Sequence, residues 1–491
     1  ILTAITLVLG LYLIVTTVLI AKDGVVYIQH AQKMAQQHTA TYKSYLPGYP
    51  FLIWTAHQFA GLFSNKTSNQ TWIYAAQGVN LLCRLLALIP LYFTGKLFVG
   101  TKNSFWALII LILLPFSAEL GSDVLREWPY LLFLSTGFFL LLWGSEYKKW
   151  WAFGGVGLAA GFGYLVRFES IQLIVYAVLW LAGCILRTQS SGYSKKKIVL
   201  ITLLLIACFA IPVVPYLLIA DNIIPANIRH IWRMITSSNP LNQKPAGELM
   251  YLTAGLFSGD TFHAFEEMFK TFGENLMWVF LPPLIIGMIH RLKTQAEPVE
   301  KFFITTAVLL NIALMFIRYL YVQPAISSRW TFILVVYTFY YIPDGFRILN
   351  EWIRNVFKKS DVLQIPQSTN TASCLSILLL ICISICLPKL LRPIRNDKPG
   401  YLKASSWLAG NSDKDDIIAA EDGRLFYYAQ REGMTFCSEY TKDVFPPQAR
   451  YLVRLLRPNE SLEISADVSI KYSTWVNEKE KRKRIVVYGR D

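Results

Sequence analysis

Asp23 follows the uncharged apolar run Ile1 to Ala21 after a single lysine and opens the phrase Asp23-Gly24-Val25-Val26-Tyr27-Ile28. A run of roughly 20 apolar residues can span a bilayer as a helix. An acid just past it sits where membrane meets water, where it can act on a substrate whose tail lies in lipid and whose head lies outside. Three more phrases bring charge to the ends of apolar runs: Ser122-Asp123-Val124-Leu125-Arg126-Glu127-Trp128-Pro129, Val166-Arg167-Phe168-Glu169-Ser170 and Ser327-Ser328-Arg329-Trp330. Asp23, Asp123, Glu127 and Glu169 thus stand beside Arg126, Arg167 and Arg329. Ionisable groups near bilayer depth usually face an interior cavity or a partner. Charged residues at helix ends are also ordinary, because water is close. What distinguishes Asp23 is the adjoining segment Tyr45-Leu46-Pro47-Gly48-Tyr49-Pro50.

The elements that must position these groups are apolar helices. The chain has 491 residues, 54% hydrophobic and 16% charged, below the quarter or so that soluble domains carry. Apolar stretches long enough to span occur at 1–20, 72–95, 103–119, 129–144, 150–166, 170–187, 198–220, 276–292, 301–320, 329–344 and 372–390. The pattern predicts a polytopic α-helical membrane protein with about eleven spans. The chain begins inside an apolar run without Met, which suggests that some N-terminal sequence precedes it.

The net charge of +15 would suit nucleic acid, but its distribution does not. Lys96, Lys102, Lys148, Lys149, Arg187, Lys195 to Lys197, Arg291, Lys293, Lys301, Arg347, Arg354, Lys358 and Lys359 fall in alternate loops. Lys and Arg enrichment marks cytoplasmic loops, so the first span should run outward and no nucleic-acid partner is expected. The four acids then fall at the outer ends of spans, and acids concentrate at that face. Six cysteines lie in apolar spans and Cys437 stands alone, which predicts small buried hydrophobes rather than a disulfide framework.

Two parts are expected: a membrane module over 1–392 and a more polar α/β domain over 393–491, on the side away from the cytoplasm. The module carries two long external segments. The first, 22–71, should contain helices on the membrane surface, with Val26, Ile28, Ala31, Met34 and Ala35 on one face. The second is 221–275. In the tail, strands are expected at Ile417 to Ala420, Met434 to Cys437, Ser461 to Ser469 and Arg484 to Tyr488. Helices are expected at Gly423 to Gln430 and Pro447 to Leu456. Arg84, mid-span near Asn80, should make structural or backbone bonds, and His57 should pack.

These phrases together resemble the GT-C class of integral-membrane glycosyltransferases, closest to the family related to protein O-mannosyltransferases and lipid A aminoarabinose transferase (glycosyltransferase family 39-like). Such proteins read as a span, D-x-x-x-Y-x-x-x-A and a P-P-G-Y-P-like segment. Here these are Asp23, Tyr27, Ala31 and Leu46-Pro47-Gly48-Tyr49-Pro50. Arg126-Glu127-Trp128-Pro129 matches a later element, as do Arg167-Phe168-Glu169, with Phe for Pro, and Arg329-Trp330, with Trp for Tyr. The likeness covers nearly the whole chain in order.

The resemblance implies transfer of one sugar from a polyprenyl-phosphate donor to a lipid, glycan or protein acceptor outside the cytoplasm, in the plasma or inner membrane, with inversion. Asp23 becomes the candidate general base, with Asp123 and Glu127 as further catalytic acids. Arg126, Arg167, Arg329 and, more weakly, Lys43 would bind the lipid phosphate, since arginine's fork takes two oxygens. Tyr27, Tyr45, Tyr49, Trp128 and Glu169 would contact the sugar or acceptor. The pattern names no cofactor for certain. Asp23, Asp123 and Glu127 could together hold a divalent cation, and a metal-free arrangement is equally open. A transporter or flippase of a lipid-linked sugar would need charges on a path to both faces. A non-catalytic subunit of an envelope complex is the third reading.

Overall fold

The computed structural model describes residues 1–37, 46–62, 68–186, 194–219, 259–321, 325–359, 371–436, 445–458, 460 and 468–490. Lys43, Tyr45, Cys437 and most of 221–275 lie outside the described residues.

The first apolar run does not form one span-length helix. Helix α1 (Leu2–Thr16) stops at Thr17, whose backbone is extended (φ −61°, ψ 119°). Residues 17–21 link it to α2 (Lys22–Gln37), so Asp23 lies in the first turn of a second helix rather than after a long span. On α2, Ile28, Ala31 and Met34 are buried while Lys33 is exposed. The expected apolar face therefore packs onto the protein. Helix α3 (Gly48–Gly61) follows, and His57 stacks there on Trp72, with ring centres 3.6 Å apart.

Helix α4 (Asn69–Leu113) has 45 residues. At 1.5 Å per residue its two segments, on either side of Gly100, together trace about 67 Å, twice the hydrocarbon thickness of a bilayer. It turns at Gly100, whose φ of 78° and ψ of 172° suit glycine, and so joins two expected spans without a loop. After α5 (Pro115–Leu120) come α6 (Glu127–Glu146) and α7 (Ala152–Val166), then a 3-10 turn Phe168–Ile171 leading into α8 (Gln172–Leu186). Helix α9 (Lys195–Ile219) packs against α7 with backbones in contact. A Cβ on Gly157 would lie 2.3 Å from the Leu205 carbonyl oxygen, and one on Gly161 would lie 2.5 Å from Pro212. Small residues four apart allow such contact where helices meet in lipid.

The remaining helices are α10 (Gly259–Asn275), α11 (Leu281–Thr294), α12 (Pro298–Tyr321), α13 (Ser328–Thr338), α14 (Ile342–Lys359) and α15 (Thr371–Leu390). Among the described residues, six stretches are long and apolar enough to cross a membrane: Asn69–Leu113, Glu127–Glu146, Phe168–Leu186, Lys195–Ile219, Pro298–Leu320 and Ser328–Asn355. Leu2–Thr16, Ala152–Val166 and Leu380–Leu390 are shorter apolar helices. The chain is an integral membrane protein, and the count of eleven is not reached on length alone.

Residues 399–490 form α16 (Pro399–Asn411), β1 (Ile418–Ala420), α17 (Arg424–Ala429), β2 (Gly433–Thr435), β3 (Tyr451–Leu456), β4 (Val468–Trp475) and β5 (Arg484–Arg490). The sheet order is β2-β1-β3-β5-β4. Strand β1 is parallel to β2 and β3, and β5 is antiparallel to β3 and β4. The helix expected over Pro447 to Leu456 is strand β3. It lies mid-sheet, and Leu452, Val453 and Arg454 are consecutively buried, so its apolar run lacks the alternation that marks a half-exposed strand.

In this domain Arg424 grips Asp422 in a two-pronged pair, Nε to Oδ1 at 2.9 Å and Nη2 to Oδ2 at 2.6 Å. Burial pushes the Asp422 carboxyl up, but the Arg424 bonds and charge outweigh it and hold the carboxyl below its ordinary range. Such a group adds stability that is complete above its unfolded value of about 3.9 and is lost as pH falls through the lower folded value. Unfolding measured from pH 7 to pH 2 should therefore show a loss below about pH 4. Asp422→Asn should be less stable at pH 7 and flatter across the acid range.

Candidate active site

The site forms where four helix ends meet. Gly24 sits so close to the α5–α6 connection that an added Cβ would lie 2.8 Å from the Val124 carbonyl oxygen. That approach delivers Asp23 to the start of α6. Arg329, in the first turn of α13, donates from Nη1 to Asp23 Oδ2 at 2.7 Å. The same Nη1 lies 3.8 Å from Oε1 of Glu127, the first residue of α6. Arg167, which ends α7 in extended conformation, brings Nη1 to 3.6 Å from that oxygen and donates from Nη2 to Glu169 Oε1 at 3.2 Å. Asp23, Arg329, Glu127, Arg167 and Glu169 thus form one chain of alternating charge.

Exposure falls from Asp23 to Arg167 and rises again to 17% at Glu169. The Asp23 side chain is 51% exposed, that of Arg329 31%, and those of Glu127 and Arg167 5% and 3%. The open end is therefore the Asp23 carboxylate. Asp23 and Glu127 both stand in first turns, where the helix dipole favours negative charge. Arg126 lies over the Tyr27 ring, its Cζ 5.9 Å from the ring centre. Burial pushes the Tyr27 hydroxyl up to about 12, with Arg126 opposing and Glu127 and Asp23 reinforcing, so it stays neutral at physiological pH.

Next to Arg167 and Glu169 a cavity of about 230 Å³ opens between α8, α12 and α13. Its wall is largely apolar, from Ile171, Val175, Leu310, Leu314 and Ile333, with Arg167, Glu169 and Arg318 at one end. Arg318 is stacked on Trp330, its Cζ 3.5 Å from the ring centre. The sequence reading missed this arginine. Its signal was a basic residue in the last turn of apolar α12, eleven positions before Arg329.

Other candidates sit elsewhere. Asp123 is fully buried. Its Oδ1 accepts the amides of Ala21 at 3.0 Å and Val124 at 2.7 Å, and Oδ2 lies 2.6 Å from Arg395 Nη2. Tyr49 is packed edge-on against Tyr27 and accepts from Asn80 at 3.2 Å. Trp128 donates from Nε1 to the Ser117 carbonyl at 3.1 Å beneath Arg84, which itself bonds the Ile112 carbonyl. Tyr27, Tyr49 and Trp128 are all at most 5% exposed, so none offers a ring face to a sugar. Among the described residues no three His, Cys, Asp or Glu groups converge as a metal site would need, and Asp23, Asp123 and Glu127 are not brought together. Nor do acids gather at one face only. Glu300 pairs with Arg291 at 3.2 Å and accepts from Tyr341 at 3.0 Å, about 27 Å along α12 from Arg318.

The sequence model of the dolichyl-phosphate-mannose-protein mannosyltransferase family matches residues 38–216. No curated protein sequence is significantly similar to the chain. Among solved structures, ArnT from Cupriavidus metallidurans bound to undecaprenyl phosphate superposes with a TM-score of 0.57 at 11% identity, over 99% of this chain and 97% of that one. The archaeal oligosaccharyltransferase AglB from Archaeoglobus fulgidus, in complex with an inhibitory peptide and a dolichol-phosphate, gives 0.54 at 11% identity, over 92% and 69%. The chain has the GT-C fold. The resemblance drawn from its motifs extends to its architecture, including the small C-terminal sheet domain.

Burial sets the expected cost of altering the ion chain. Breaking a buried pair costs about 3–5 kcal/mol, whereas an exposed pair is worth under about 1 kcal/mol. Glu127→Gln should lower the heat-unfolding midpoint clearly, and Asp23→Asn should leave it nearly unchanged.

Proposed function

We propose that this protein transfers a single sugar from a polyprenyl-phosphate donor to an acceptor hydroxyl at the extracytoplasmic face, with Asp23 as general base. The observation that carries the reading is the placement of one half-exposed carboxylate at the open end of an arginine cluster that adjoins an apolar cavity. The family that matches residues 38–216 and the lipid phosphates bound by ArnT and AglB support the donor class.

The isoprenoid tail would enter the cavity between α8, α12 and α13, and its phosphate would meet the polar end. Four arginines, Arg126, Arg167, Arg318 and Arg329, stand against three carboxylates, Asp23, Glu127 and Glu169. The surplus of positive charge suits an anion, and arginine suits a phosphate. Asp23 takes the proton of the acceptor hydroxyl as the oxygen attacks the anomeric carbon. The bond from that carbon to the phosphate oxygen breaks, and the arginines stabilise the charge that develops on the departing lipid phosphate. Attack opposite the phosphate inverts the anomeric centre. Glu127 and Glu169 hold Arg329 and Arg167 in place. The Lys and Arg of the loops at the other ends of the spans support this choice of side. The acceptor is a lipid, glycan or protein presented there.

Membranes supplied with a panel of radiolabelled polyprenyl-phosphate sugars test the proposal. Asp23→Asn should lower transfer by about 10²-fold or more while donor binding persists, since base catalysis contributes on that scale. Arg318→Gln should weaken donor binding by about tenfold, the worth of one charge-assisted hydrogen bond. Undiminished transfer by Asp23→Asn would rule out Asp23 as the base.

A further inference from the structure

The linker between α1 and α2 is non-helical, is buried over Leu19 to Ala21, and ends two residues before Asp23. Leu19, Ile20 and Ala21 are all at most 1% exposed. Buried backbone N–H and C=O groups must find partners. Thr17 N donates to the Ile14 carbonyl and the Ala21 carbonyl accepts from Gly24 N, while the backbone groups between them turn largely to the C-terminal part of the chain. Val18 N donates to the Ile394 carbonyl at 3.1 Å. The Leu19 carbonyl accepts from Arg395 Nη1 at 3.1 Å. Ile20 N donates to the Tyr428 hydroxyl at 3.2 Å, and its carbonyl accepts from Arg424 Nη1 at 3.2 Å. Lys22 Nζ donates to the Glu421 carbonyl at 3.2 Å. The Ala21 amide goes to Asp123, which Arg395 holds in turn.

Each of these clamps is itself fixed. Asp422 binds Arg424 by two bonds, and the Arg424 Cζ lies 4.8 Å from the centre of the Tyr401 ring. The helix bearing Tyr428 is fastened to the start of α4: Asn69 Nδ2 donates to the Tyr427 carbonyl at 3.0 Å, and Tyr427 donates back to the Asn69 carbonyl at 3.3 Å.

We infer that Arg395, Arg424 and Tyr428 are positioning residues: the C-terminal domain acts as a splint that sets where α2 begins and hence where the Asp23 carboxylate stands relative to Arg329. The inference rests on the reading of Asp23 as base. A misplacement of about 1 Å can cost on the order of 10²-fold in rate, so a splint of this kind affects turnover more than donor affinity.

Three full-length variants in membranes test it. Tyr428→Phe removes only the hydroxyl that receives Ile20 N–H. Arg424→Lys loses the two-pronged grip on Asp422. Arg431→Gln is the control: Arg431 bonds the Ala409 and Ser412 carbonyls within the same domain. The first two should each lower kcat by about tenfold, with donor KM within about twofold of the native chain. Arg431→Gln should leave kcat and donor KM at the native values. Native kcat in Tyr428→Phe and Arg424→Lys would overturn the inference, as would a fall in donor affinity in place of kcat or an equal loss of kcat in Arg431→Gln. Asp23→Asn run beside them separates the two failures. Full transfer by Asp23→Asn defeats the base assignment, whereas an inactive Asp23→Asn with a native Tyr428→Phe defeats only the splint.

Discussion

Glu127 is the interaction on which the site depends. A carboxylate 5% exposed at the mouth of a helical bundle is costly unless it is paired, and here it answers two arginines from two other helices. The first residue of α6 thereby fixes the end of α7 and the start of α13. Asp23 is tied to the same core through Arg329, and Glu169 through Arg167. Removing the central carboxylate would leave two cations facing each other in a site of low dielectric. The arrangement is paired and buried inside and open at one end, which suits the role proposed for Asp23.

The fold class, the membrane character and the main charged residues could all be read from the chain. Low charge, recurrent apolar runs and the order of the motifs were enough for these. Asp23, Glu127, Arg167 and Arg329 sit in four separate phrases, and the folded bundle joins them. What could not be read was depth. Asp123 and Glu127 are four residues apart in one phrase, yet one faces the linker and Arg395 while the other faces the site. The intervening turn rotates the chain, and no spacing rule conveys that. Tyr49 and Trp128 carry the residue types of a sugar platform, but their polar atoms are consumed by Asn80 and the Ser117 carbonyl.

Arg318 and the linker show two other limits. A single arginine in an apolar helix gives no hint that it shares a cavity with a residue about 150 positions earlier. The break at Thr17 falls inside an uninterrupted apolar run, so hydropathy reads straight across it. The non-helical stretch survives because groups some 400 residues away accept and donate hydrogen bonds at Ile20. Strand β3 shows a related limit: a central strand covered on both sides looks, in sequence, like a short buried helix.

The gradient of exposure from Asp23 to Arg167 gives the ion chain a direction with respect to ionic strength. Mobile ions reach its half-exposed end, where a Debye length near 10 Å at 0.1 M salt screens the pair between Asp23 and Arg329. They do not reach Arg167, 3% exposed against Glu127 and Glu169. Added salt therefore frees the outermost carboxylate first and leaves the inner arginine fixed.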